Sequence, residues 1–109
     1  MSTTRDRKLP PVALTIDGVA FDRYHYDEVA DTLCLHTGRA EWAVDFDETA
    51  EDHHLRFGAD GKLLSLSILT ARWLLDRQGA IDVTLSDGRS ATRLPRAVVE
   101  PLLVETPIY

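Results

Sequence analysis

The chain is poor in the residues that staple, span or cradle. It has one cysteine, Cys34, in 109 residues. An intrachain disulfide is therefore excluded, and a reducing compartment, the cytoplasm, is the expected home. The six glycines are scattered and build no phosphate-cradling loop. A Gly-x-Ser-x-Gly elbow is absent, which removes one common signature of a serine nucleophile. No apolar run approaches the ~20 residues a membrane helix requires. The stretch MSTTRDRKLPP lacks the apolar core of a signal peptide. Bases are short as well: 12 Lys and Arg stand against 18 Asp and Glu, for a net charge of −6. Arg89, Arg93 and Arg96 make a thin basic stripe, offset by Asp87 and Glu100. Neither nucleic acid nor membrane is an expected partner, because a surface of net negative sign repels a phosphate backbone.

The shortage of bases is local. Residues 1–9 are net +2, residues 53–109 net +1, and residues 10–52 set two arginines against eleven acids for a net of −9. That block either attracts a basic partner or simply keeps the protein soluble.

What the chain has is alternation. Over residues 54–69, Leu55 and Phe57 alternate with His54 and Arg56, and Leu64, Leu66 and Ile68 alternate with Ser65 and Ser67. Asp60 and Gly61 separate the two runs and tolerate the positive φ of a tight turn, so a central hairpin is expected. Two further Asp-Gly turns, at 17 and 87, predict flanking hairpins. Residues 19–26 read as one return strand, with Tyr24 and Tyr26 on one face and Arg23 and His25 on the other. Asp27 suits the cap of a single helical turn. Residues 32–37 and 41–47 alternate again; in the second, Trp42, Val44 and Phe46 form an apolar face and Glu41, Asp45 and Asp47 an acidic one. A helix is expected over 70–78, capped by Thr70 and closed by Gly79. Another is expected over 95–104, stopping near Glu100 because Pro101 cannot continue it. The expected fold is one α+β domain over 12–104, a small antiparallel β-meander of six or seven strands with two short helices. Residues 1–11 are expected as a disordered basic tail and 105–109 as a loose end.

Two pieces resemble a known pattern. YDEVADTLCLHTG (26–38) and ADGKLLSLSIL (59–69), in this order and at this distance, resemble the small prokaryotic family catalogued as domain of unknown function 2283. The resemblance covers residues 22–71 and rests on Tyr26, Asp27, Asp31, Asp60 and Gly61. It implies a small antiparallel sheet with short helices, and an antitoxin-like role by association with toxin neighbours. The chain departs from the family pattern at Arg56 and Gly58, where acids are usual, and at Ser65, Ser67 and Cys34.

Two function classes remain. In one, the protein is a non-catalytic interaction module without a cofactor, docking a basic protein partner through Glu41, Asp45, Asp47, Glu48, Glu51 and Asp52. The same acids also suit a solvated face that guards a sheet edge. In the other, His25, Cys34, His36 and His54, all off the apolar parity of their strands, hold zinc for a small metal-binding protein or metal-dependent enzyme. No pair among them has a known ligand spacing; chance histidines on an exposed face give the same pattern. Trp42 and Trp73 are expected in the core or at an interface, and a homodimer is expected.

Overall fold

Alternation becomes nine short strands and two short helices among the residues described by the computed structural model, 14–38, 41–85 and 91–103. Strands β1 (Leu14–Ile16) and β2 (Val19–Phe21) pair antiparallel across Asp17 and Gly18, both at positive φ, as the shortest hairpin turn requires. The chain then breaks at Asp22 instead of running straight on. This break places both Phe21 and Tyr26 in the core, which one continuous strand could not do because they differ in parity.

The main sheet has five strands: β3 (Arg23–Asp27), β4 (Thr32–His36), β5 (Asp45–Glu48), β6 (His54–Phe57) and β7 (Leu63–Leu69). Their spatial order is β3-β4-β7-β6-β5, antiparallel throughout. The expected single meander is thus corrected in two ways. Among the described residues there are nine strands in three sheets, and β4 to β7 follow a Greek-key path in which β5 leaves for the far edge and β7 returns beside β4. Burial explains the order. Strand β7 presents Leu64, Leu66 and Ile68 to the core and can sit centrally, whereas β5, DFDE, is exposed along its whole length and suits only an edge.

One face of this sheet packs on everything else. Leu33, Leu35, Leu55, Leu66 and Ile68 meet Ile16 and Phe21 of the first hairpin. They also meet helix α1 (Ala71–Gln78), through Ala71 and Leu75, and the pair β8 (Ala80–Val83) and β9 (Thr92–Pro95), through Ile81, Val83 and Leu94. Helix α2 (Arg96–Val99) closes that side with Val99 and runs into a 3-10 turn, Glu100–Leu102. Pro95 falls in β9 and the α-helix ends before Glu100, as Pro101 dictates. The turn expected at 86–89, the tails 1–11 and 105–109, and the end of the second expected helix lie outside the described residues.

Helix α1 ends as expected: Gly79 adopts the left-handed conformation and its N–H bonds the Leu75 carbonyl. Its start is different. Thr70 is left-handed and its hydroxyl is spent on the Leu69 carbonyl, 2.6 Å away. The cap comes from Asp31, in the turn between β3 and β4. Its carboxylate accepts the N–H groups of Arg72 (2.7 Å) and Trp73 (3.1 Å), and its backbone carbonyl accepts that of Ala71. The Tyr26 hydroxyl donates to the same carboxylate at 2.7 Å.

Candidate functional site

The face of the five-stranded sheet turned away from the core carries the polar residues in two rows. Register aligns His25, Cys34, Ser67, His54 and Glu48 across β3, β4, β7, β6 and β5. It likewise aligns Arg23, His36, Ser65, Arg56 and Phe46. The four residues expected as metal ligands, His25, Cys34, His36 and His54, therefore do share one face. They are spread along it: Ser67 of β7 stands between Cys34 and His54, which puts those two strands about 10 Å apart. No group of three His, Cys, Asp or Glu among the described residues is gathered closely enough to hold a metal ion. The Cys34 thiol lies 3.5 Å from the Ser67 hydroxyl. Burial, with Arg23, His25 and Arg56 nearby, holds the His36 pKa below its ordinary value.

The apolar face expected for residues 42–46 is inverted. Phe46 pairs with Arg56 and so lies on the outward face, 64% exposed, while Trp42 is 91% exposed and Val44 61%. Asp45 and Asp47 take the parity of Leu55 and Phe57 but sit on the edge strand, past the cover that buries the core. Parity along β5 follows its partner: β6 must bury Leu55, and Asp47 is the residue opposite. Trp73 is also outside the core, 54% exposed, with the Arg77 guanidinium 4.8 Å from its ring centre. Two shallow grooves flank Phe46. One of ≈ 500 Å³ includes His36, Glu41, Trp42 and Arg56 in its walls; the other, ≈ 260 Å³, includes Asp47, Glu48 and His54.

The acidic block divides into two roles. Asp45, Asp47 and Glu48 are exposed on β5, and Glu41 lines the larger groove. Glu48 lies 3.9 Å from the His54 ring. Asp45 Oδ1 accepts the N–H of Phe46 at 2.9 Å, and Asp47 Oδ1 that of Glu48 at 2.8 Å. Thr49 N–H reaches back to His53 in the β6 direction, so by alternation the Phe46 and Glu48 N–H groups point outward from the edge. The aspartates thus occupy the donors that an added strand would use. Glu51 belongs elsewhere. Its carboxylate accepts from Thr84 N–H (3.0 Å) and Thr84 Oγ1 (2.7 Å), fastening the β5–β6 connection to the residue after β8. Burial pushes the Glu51 carboxyl up, but these bonds outweigh it and hold it below the usual range. Asp52 makes the turn, at φ 73°.

The residues behind the family resemblance do not form one site. Asp27 Oδ1 accepts the Val29 and Ala30 N–H groups, closing a turn and not a helical one. Asp31 caps α1. Asp60 Oδ1 accepts the Lys62 N–H, beside Gly61 at φ 80°, at the opposite end of the sheet. Tyr26 is pushed up to about 12 by burial, then by its bond to the Asp31 carboxylate.

His53 went unnoticed in the sequence, where it reads as part of a polar connection. It is 1% exposed and its Nε2 lies 3.0 Å from the Asp82 carbonyl. That oxygen only accepts, so Nε2 carries the proton and Nδ1, which has no partner, is a bare lone pair. Burial holds its pKa below the ordinary value. The available signal was Thr49, whose hydroxyl accepts the N–H groups of Glu51 and His53 and makes the connection a tight local turn. The thin basic stripe is neutralised where it is described: Arg93 pairs with Asp82, and Arg96 with Asp76 and Glu100. No helix among the described residues is long and apolar enough to cross a membrane. Compared with family models, curated proteins and solved structures, the chain matches none.

Proposed function

We propose that this protein is a non-catalytic interaction module that docks a basic partner on the β5 side of its main sheet. The observation that carries this is Trp42 and Phe46, two large rings left outside the core beside the carboxylates of Asp45, Asp47 and Glu48. Rings supply contact area at small entropic cost, and carboxylates at the rim steer a basic surface onto them. Glu51 and Asp52 drop out of the docking set, because the first is a fastening and the second a turn. An antitoxin-like role is one form of this function. The partner binds through side chains and not as an added strand, since the outward N–H groups of β5 are already bonded.

The test uses an arginine-rich peptide as probe, with Trp42 fluorescence read in a Trp73→Phe background. Binding should weaken with salt. It should fall at least about tenfold, or ~1.4 kcal/mol, when Asp45, Asp47 and Glu48 become Asn, Asn and Gln. Affinity indifferent to salt and to these changes refutes the proposal. The metal alternative has one observation in its favour, the shared face of His25, Cys34, His36 and His54. A native mass spectrum showing one zinc per chain, lost in His36→Ala, would favour it over docking.

A further inference from the structure

The outward row that ends at Phe46 contains three polar side chains with nothing to bind. His36, Ser65 and Arg56 stand side by side on β4, β7 and β6, with Phe46 next on β5. All four line the groove of ≈ 500 Å³, as does Trp42. Among the described residues, the side chains of His36, Ser65 and Arg56 make no hydrogen bond or ion pair. Ser65 is the telling member. It is 6% exposed, and a buried hydroxyl without a partner is costly. Only His53 Nδ1 is both unpartnered and shut from solvent among the described residues, so the Ser65 oxygen reaches the groove. Arg56 is exposed, and its N–H donors pair with no carboxylate. Burial, and then the charges of Arg23, His25 and Arg56, keep the His36 ring neutral at pH 7 with one N–H to give.

We propose that this groove binds a small molecule carrying an oxyanion beside a flat ring, the oxyanion held by Arg56, Ser65 and His36 and the ring laid against Phe46 and Trp42. The site goes beyond the docking role and does not depend on it.

The walls select that class of ligand. A row of donors calls for an acceptor, and a guanidinium takes a carboxylate or phosphate through two parallel bonds. Phe46 and Trp42, both outside the core, offer faces on which a ring can stack. Neighbouring strands lie about 4.8 Å apart, so about 10 Å separates Ser65 from Phe46, room for an oxyanion and a ring set side by side. The Glu41 carboxylate does not occupy the row: it lies over Gly58, past the end of β6, and already has a partner. Asp45, Asp47 and Glu48 at the rim repel a long polyanion, which leaves a free small molecule and not a nucleic-acid strand. The groove's volume falls in the range of roughly 300–1,000 Å³ usual for such ligands.

The test is an NMR titration of the full chain, following the Trp42 indole N–H in a Trp73→Phe background. Adenosine monophosphate supplies a phosphate and benzoate a carboxylate; adenosine and benzyl alcohol are their uncharged counterparts. At least one charged probe should bind at least about tenfold more tightly than its counterpart, and the one that does identifies the oxyanion. Arg56→Gln should remove that advantage and Ser65→Ala should reduce it, with thermal unfolding confirming that both variants fold. Arg93→Gln, which changes an exposed arginine outside the groove, should leave it intact. No preference for a charged probe, or a preference that survives Arg56→Gln, overturns the proposal. A preference lost equally in Arg93→Gln overturns it too, because net charge alone is then responsible. Binding of the arginine-rich peptide is a separate measurement, so the docking role stands or falls without reference to these results.

Discussion

Replacing Asp31 should destabilise the fold more than any other exposed or half-buried polar residue of the main sheet. Its carboxylate takes two helix N–H groups and one phenol, at 2.7, 3.1 and 2.7 Å. Loss of an N-cap costs about 0.5–2 kcal/mol. Leaving the Tyr26 hydroxyl without its acceptor adds about 1–3 kcal/mol, since Tyr26 is buried. Asp31→Ala should therefore cost about 2–4 kcal/mol. Part of this could come from the backbone, because Asp31 sits at φ 53°. Two controls separate the causes. Asp31→Gly suits the left-handed backbone but removes the carboxylate, so it should remain nearly as damaging. Asp31→Asn keeps one acceptor oxygen and the tolerance for positive φ, and should cost about 1 kcal/mol. Urea unfolding measures all three, and 1 kcal/mol corresponds to roughly 4–8 °C in Tm for a domain of this size. If Asp31→Gly melts within about 1 °C of wild type, the remote cap is not a stabilising element and this reasoning fails.

Tyr26 should make the fold sensitive to alkali. Its pKa is higher in the folded state, about 12 against 10.0, so stability is intact below pH 10.0 and is lost as the pH rises through about 12. Tyr26→Phe should flatten that limb in alkaline unfolding curves, and an unchanged slope would refute the assignment. His53 acts on the acid side. Its folded pKa lies below 6.5, so the unfolded chain takes up the proton first and stability declines as the pH falls below 6.5. His53→Gln should reduce that decline in unfolding measured from pH 7 downward; a decline as steep as wild type's counts against it.

The sequence made the local features readable and left the non-local ones hidden. The hairpin at Asp60 and Gly61, the first hairpin and the span of α1 all follow from alternation, turn chemistry and a closing glycine, which act between near neighbours. The shared outward face of His25, Cys34, His36 and His54 was readable for the same reason. The orientation of β5 was not. Both parities of residues 42–47 are plausible in isolation, and only pairing with β6, which must bury Leu55, decides between them. The helix cap was equally hidden, because Thr70 is the expected residue locally and the acceptor used stands 41 positions from Arg72. His53 was lost because nothing within a polar run distinguishes the member that tertiary contacts bury.

The Greek-key path has a kinetic consequence. The β3–β4 hairpin and the β5–β6–β7 run each close over short stretches of chain, so each can form early. The seam between β4 and β7 joins them only when Leu35 finds Leu66 and Leu33 finds Ile68, over 31 and 35 residues. That closure carries the largest loop-entropy cost in the main sheet. Folding speed should accordingly be set at this seam, with truncations of Leu35 or Leu66 slowing refolding and changes on β5 acting mainly on unfolding.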